Sequence, residues 1–83
     1  MAYVYILKCS DGSYYPGFTT DIERRLAEHN QGIGSKYTRS RLPVECVYQE
    51  ELSSKSEAMK RESAIKKMSH NEKEKLVNDN REF

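Results

Sequence analysis

Five side chains in this sequence have types and spacings suited to chemistry: Tyr5, Tyr15, Arg25, His29 and Glu62. Arg25 and His29 stand four residues apart in TDIERRLAEHN, where the apolar residues Ile22 and Leu26 recur at helical spacing. At about 100° per residue these four share one arc of a helix, while Arg24 falls outside it and faces water. Glu62 occupies the inward stripe Ala58, Glu62, Ile65 of a later helix. Burying an unpaired charge costs several kcal/mol, so each of these groups needs a partner or a purpose. One reading is an Arg25–Glu62 ion pair between helices, with His29 hydrogen-bonded at a helix end. The other adds Tyr5 and Tyr15, assembling two phenols, a guanidinium, an imidazole and one carboxylate. That inventory suits phosphodiester hydrolysis, because acyl transfer would want an activated Ser or Cys nucleophile.

Whether the two tyrosines meet depends on one turn. Ala2–Cys9 and Ser13–Thr19 are rich in aromatic and β-branched residues and flank Ser10-Asp11-Gly12, the pattern of a β-hairpin. Side chains alternate faces along a strand. A two-residue Asp11-Gly12 turn would pair Ser10 with Ser13 and put Tyr5 and Tyr15 on opposite faces. A three-residue loop, with Gly12 left-handed in a G1 bulge, pairs Cys9 with Ser13 instead. Tyr5, Leu7 and Tyr15 then share one face, with Tyr5 opposite Gly17, and Val4, Ile6, Tyr14, Pro16 and Phe18 take the other.

The remaining elements follow from caps and period. Thr20-Asp21-Ile22-Glu23 is a capping box that opens a helix near Asp21, ending between Asn30 and Gly32. Residues 31–43, QGIGSKYTRSRLP, read as a loop, and Val44–Leu52 as a third strand. Ser54-Lys55-Ser56-Glu57 opens a helix to about Met68, and Ser69-His70-Asn71-Glu72 a short one through Leu76 and Val77. The expected organisation is a single α+β domain over residues 1–78 with a frayed tail at 79–83.

With 83 residues there is room for one core. Cys9 and Cys46 are far apart, without a C-x-x-C partner, and no signal peptide or apolar run of membrane length is present. A reducing, cytoplasmic setting without membrane contact is the expectation. Net charge is only +1 but is segregated: −1 over residues 1–30, +3 over 31–43, −3 over 44–54, +3 over 55–67 and −1 over 68–83. Local field outweighs the sum, so the basic loop and basic helix are candidate phosphate binders.

Taken together, Tyr3-Val4-Tyr5, Tyr15-Pro16-Gly17 after nine intervening residues, Arg25 ten residues beyond Tyr15, and Glu62 in an Ala-x-x-x-Glu helix resemble the GIY-YIG nuclease domain. YILKCSDGSYYPG, TDIERRLAEHNQG, KYTRSR and RESAIK resemble more narrowly its small stand-alone branch, the UPF0213 proteins. The resemblance implies a three-stranded antiparallel sheet flanked by helices, with the site on the sheet's surface. It implies Tyr5, Tyr15, Arg25, His29 and Glu62 as catalytic residues, Glu62 as the ligand of one Mg²⁺ or Mn²⁺, and Gly17 as the closing glycine of the second motif. The implied activity is divalent-metal-dependent hydrolysis of DNA with low sequence specificity, in DNA repair or recombination.

A tyrosine with an ordinary pKa near 10 is a poor base at neutral pH. His29, with a reference near 6.5, therefore competes with Tyr5 for that role. The sequence departs from the family pattern in Tyr3 for the glycine of the first motif, Pro16 for an apolar residue of the second, and Phe18 where some relatives are polar. A late asparagine used by many relatives has three candidates, Asn71, Asn78 and Asn80. No further DNA-binding segment is evident, so Lys36, Tyr37, Arg39 and Arg41 are expected to grip DNA, with Lys60, Lys66 and Lys67 assisting. Such binding would be weak and salt-dependent. Tyr37 either stacks on a base or packs its own loop. Two other functional classes stay open: a nucleic-acid-binding module that cleaves only with a protein partner supplying specificity, and a purely structural interaction domain.

Overall fold

The computed structural model describes residues 1–79. Three strands, β1 (Ala2–Lys8), β2 (Tyr14–Thr19) and β3 (Glu45–Leu52), form one antiparallel sheet in the order β2-β1-β3. Four helices accompany them: α1 (Ile22–Asn30), α2 (Lys36–Arg39), α3 (Lys55–Lys66) and α4 (His70–Asp79). The expected α+β class and three-stranded antiparallel sheet are thus present. Asp79, assigned to a frayed tail from sequence, is the last residue of α4, and residues 80–83 lie outside the described residues. No helix among the described residues is long and apolar enough to cross a membrane.

The hairpin takes the three-residue loop. The Gly12 amide donates to the Cys9 carbonyl at 2.9 Å, the Cys9 amide donates to Ser13 at 2.9 Å, and Gly12 has φ +85°. Only a residue without a Cβ adopts that left-handed conformation cheaply. Asp11 fixes the turn further by accepting from the Ser13 amide and hydroxyl, at 3.0 and 2.6 Å. The register follows, with Tyr5 opposite Gly17 and Leu7 opposite Tyr15.

Each sheet face carries its own apolar cluster. Ala2, Val4, Ile6 and Tyr48 pack with Ala58 and Ile65 of α3 and Val77 of α4; Tyr5, Leu7, Cys9 and Val44 pack with Ile22 and Leu26 of α1. Fully burying an aliphatic side chain of this size contributes roughly 1.5–3 kcal/mol. A bulge on β3 serves both faces: Ile6 pairs with Tyr48 but Leu7 pairs with Cys46, skipping Val47. Without the extra residue, Cys46 and Tyr48 would share a face; with it they enter opposite clusters.

The helix starts differ slightly from expectation at α1, where Asp21 rather than Thr20 is the cap, accepting from the Arg24 amide at 3.1 Å. Ser54 caps α3 by accepting from Glu57 N. At α4 the box is reciprocal, Ser69 Oγ accepting from Glu72 N and Glu72 Oε1 from Ser69 N, both at 3.2 Å. The segment read as a loop contains one turn of helix, α2, whose N-cap Ser35 accepts from the Thr38 amide at 3.1 Å. That single turn buries Thr38 completely.

Candidate active site

The face shared by Tyr5 and Tyr15 opens into a cleft of about 470 Å³, lined by both tyrosines, Gly17, Arg24, Arg25, Glu28, Lys55 and Glu62 among others. Strand β1 supplies Tyr5, β2 supplies Tyr15 and Gly17, α1 the arginines and α3 Lys55 and Glu62. Gly17 is where Tyr5 needs space. A Cβ there would sit 2.4 Å from the Tyr5 hydroxyl and 2.5 Å from Cζ, so only glycine lets the phenol lie across β2.

Behind Tyr5, His29 is entirely buried. Its Nε2 lies 3.1 Å from the Tyr5 hydroxyl and its Nδ1 2.9 Å from Thr38 Oγ1. Tyr5 and Tyr15 both meet the imidazole edge-on, with centroid separations of 5.9 and 5.6 Å. Gly34 closes the other side, since a Cβ there would lie 2.4 Å from His29 Nδ1. Burial, and then the neighbouring Arg25, hold His29 below the usual imidazole pKa, against an opposing effect of Glu28. Burial likewise raises Tyr5 above the usual phenol value, with Arg25 opposing and the charges of Tyr15 and Glu62 reinforcing. At neutral pH both groups are therefore uncharged.

Arg25 is one-third exposed and held by two contacts, to Glu28 Oε1 at 3.2 Å and the Gly34 carbonyl at 2.8 Å. The interhelical Arg25–Glu62 pair allowed by the sequence pattern is not formed. Glu62 pairs instead with Lys66, one turn on along α3, at 3.1 Å. The reason is positional: α3 packs on the opposite sheet face through Ala58 and Ile65, and Glu62 reaches the cleft near β2. Arg24, read as pointing to water, is 77% exposed yet lines the same cleft beside Glu28, 3.6 Å away.

The proposed DNA-gripping residues divide. Lys36 and Arg39 are exposed on α2. Tyr37 stacks on Tyr15 with centroids 5.5 Å apart, and Arg41 places its guanidinium 3.9 Å from the Tyr37 centroid. Arg41 also donates to Asp11 at 3.0 Å and to the Tyr37 carbonyl at 2.9 Å. Tyr37 and Arg41 thus fasten α2 to the β1–β2 turn, and none of the four lines the cleft. Asn71 and Asn78 do not line it either, and Asn80 lies outside the described residues. Sequence reasoning passed over Lys55, Glu28, Gly34 and Thr38. The closely spaced Gly32 and Gly34 could have signalled a close approach; Thr38 carried no signal once its segment was read as a loop.

A metal site can be tested against the donors present. Among the described residues, no group of three or more His, Cys, Asp or Glu converges as a metal cage. Of the cleft's carboxylates, Asp21 caps α1 and Glu28 pairs with Arg24 and Arg25, which leaves Glu62, its side chain 15% exposed in a cleft with room for water, as the metal donor. This fits Mg²⁺, which takes one or two carboxylates and keeps several waters, and does not fit an ion needing a protein cage.

Comparison with known proteins identifies the family. Residues 1–75 match the family model of the GIY-YIG catalytic domain. A UPF0213 protein of Halobacterium salinarum is 57% identical over 92% of this chain and 99% of its own length, and one of Streptococcus pneumoniae 51% identical over 98% and 82%. The solution NMR structure of a UPF0213 protein from Bacillus halodurans superposes with TM-score 0.64 at 47% identity, covering 99% of this chain and 88% of that one. A second NMR structure, from E. faecalis, gives 0.62 at 47%, covering 93% and 82%. With a family-model match over residues 1–75 and relatives more than half identical across most of its length, the chain belongs to the GIY-YIG catalytic domain family, in its UPF0213 branch, and has that family's nuclease fold.

Proposed function

We propose that this protein is a divalent-metal-dependent endonuclease that hydrolyses DNA phosphodiester bonds with low sequence specificity, serving DNA repair or recombination. The observation that carries the reading is the convergence of Tyr5, Tyr15, Arg25 and Glu62 on one open cleft. Arg25, braced by Glu28 and Gly34, presents a fixed guanidinium to the non-bridging phosphate oxygens. Tyr5 is the base that touches the attacking water, because His29 is sealed behind it and lines no part of the cleft. Tyr5 accepts the water proton as its own hydroxyl proton passes to His29 Nε2, so no free phenolate forms in the buried position. The imidazolium created this way is offset by the negative charge that develops on the phosphate. Tyr15 orients the phosphate beside it. Glu62 would hold one Mg²⁺ or Mn²⁺, with water completing its shell; when bound, the ion supplies positive charge at the phosphate and the leaving oxygen. Lys36 and Arg39 of α2, whose Tyr37 stacks on Tyr15 of the cleft, add weak, salt-dependent hold on the backbone, and a protein partner would supply specificity.

The test is incubation of purified protein with end-labelled single-stranded, duplex and branched DNA, in Mg²⁺ or EDTA, beside Glu62→Gln and Arg25→Ala. Cleavage is expected in Mg²⁺ alone and severely reduced in both variants. Metal-independent cleavage, or full activity in Glu62→Gln, would overturn the mechanism; binding of every substrate without cleavage would make the chain a binding module.

A further inference from the structure

The buried polar chain does not stop at His29. Thr38 is completely inaccessible, and its Oγ1 meets three groups: His29 Nδ1 at 2.9 Å, Ser35 Oγ at 2.9 Å and the Ser35 carbonyl at 3.4 Å. Their protons can be arranged in two ways. In the first, the Thr38 hydroxyl donates to the Ser35 carbonyl, which also accepts from the Arg39 amide at 3.1 Å. Ser35 Oγ, which accepts from the Thr38 amide at 3.1 Å, then donates its own proton to Thr38 Oγ1 in this arrangement. Thr38 Oγ1 is then an acceptor toward His29, which places the imidazole proton on Nδ1 and leaves Nε2 as a bare acceptor facing the Tyr5 hydroxyl. In the opposite arrangement, with the proton on Nε2, Thr38 would donate to Nδ1 and the Ser35 carbonyl would lose that bond.

We propose that Thr38, held by Ser35, is a positioning residue that fixes His29 in the Nδ1–H tautomer and so makes it the acceptor for the Tyr5 proton. This rests on the nuclease reading above, but the tautomer is a property of the resting protein. The device works like the third member of a hydrolytic triad, with a hydroxyl where a carboxylate is more usual. One proton moves, from Tyr5 Oη to His29 Nε2, as Tyr5 gains one from water; Nδ1–H keeps its bond to Thr38 before and after, so nothing there must reorganise. Gly34 contributes by leaving the space that brings Nδ1 against α2. The ionisable groups around the ring are Tyr5 of β1, Tyr15 of β2, and Arg25 and Glu28 of its own helix. Among the described residues the ring's hydrogen bonds go to Tyr5 and Thr38, neither of them a carboxylate.

The experiment reads the ¹⁵N shifts of His29 by NMR in the ¹⁵N-labelled full chain, with a His70→Gln background to separate the other histidine. The wild type should show a protonated Nδ1 and a bare Nε2. Thr38→Val, nearly isosteric but without an acceptor, should mix or reverse the tautomers, and Thr38→Ser should restore them. In single-turnover cleavage Thr38→Val should lose about tenfold to a hundredfold in rate with DNA affinity unchanged, and Thr38→Ser should recover most of it. A wild-type Nε2–H tautomer, or Thr38→Val unchanged in both shift and rate, overturns the proposal. If the wild type cleaves no DNA, the nuclease reading fails while the shifts still decide what Thr38 does. Should Thr38→Val fold poorly, Thr38→Ala, which also removes the acceptor for His29 Nδ1 and is smaller, supplies the same comparison.

Discussion

Gly17→Ala should displace the Tyr5 hydroxyl with a single methyl group. Gly17 is not among the positive-φ glycines, which are Gly12 and Gly32, so alanine is compatible with its backbone. The obstacle is steric: the new Cβ would lie 2.4 Å from Tyr5 Oη, whereas ordinary contact begins near 3.4 Å, so the phenol must move by about 1 Å (3.4 − 2.4). It cannot retreat toward His29, which is fully buried and hemmed in by Gly34. Overpacking of this kind costs roughly 1–3 kcal/mol, and a 1 Å misplacement of a reacting group about 10²-fold in rate. Single-turnover cleavage paired with urea denaturation measures both. A variant within twofold of wild type in rate and unchanged in stability would show that Tyr5 does not work from the position described.

Two further outcomes follow from the same geometry. Lys36→Ala and Arg39→Ala should each weaken DNA binding and lower the salt slope by about 1, measured by fluorescence anisotropy over a range of KCl. Arg41→Ala should instead lower the melting temperature only slightly, because its half-exposed bridge to Asp11 is screened by solvent; an unchanged melting temperature would count against the fastening role. Acid should destabilise the fold early. His29 has a folded pKa below its unfolded value near 6.5, so the unfolded chain binds the proton more readily. Its contribution is complete above pH 6.5 and is lost as pH falls toward the folded pKa. Urea midpoints should therefore drop between pH 7 and 5, less steeply in His29→Gln, and a flat profile would refute the burial argument.

How much of this was legible depended on period and parity. The Ser10-Asp11-Gly12 turn offered two registers, and the alternation of side chains tied each to a distinct site; the left-handed Gly12 selects the one that joins Tyr5 to Tyr15. Arg25 and His29 were readable because they share an arc with Ile22 and Leu26. Their partners were not all read: Glu28 stands at i,i+3 from Arg25, but the inward stripe of the later helix put Glu62 forward, and α3 in fact lies on the other sheet face. Thr38 and Gly34 were hidden because a single helical turn is too short to show a period. Arg41 and Tyr37 looked like free recognition groups since composition cannot reveal that Asp11, thirty residues earlier, claims the cation.

Tyr5→Phe tests the central claim most directly, since it keeps the buried ring and removes only the hydroxyl that links the cleft to His29. Single-turnover cleavage in Mg²⁺ should fall by about 10²-fold or more, the contribution expected of a positioned general base, while DNA affinity stays at the wild-type level. Cleavage by Tyr5→Phe at the wild-type rate would contradict the account.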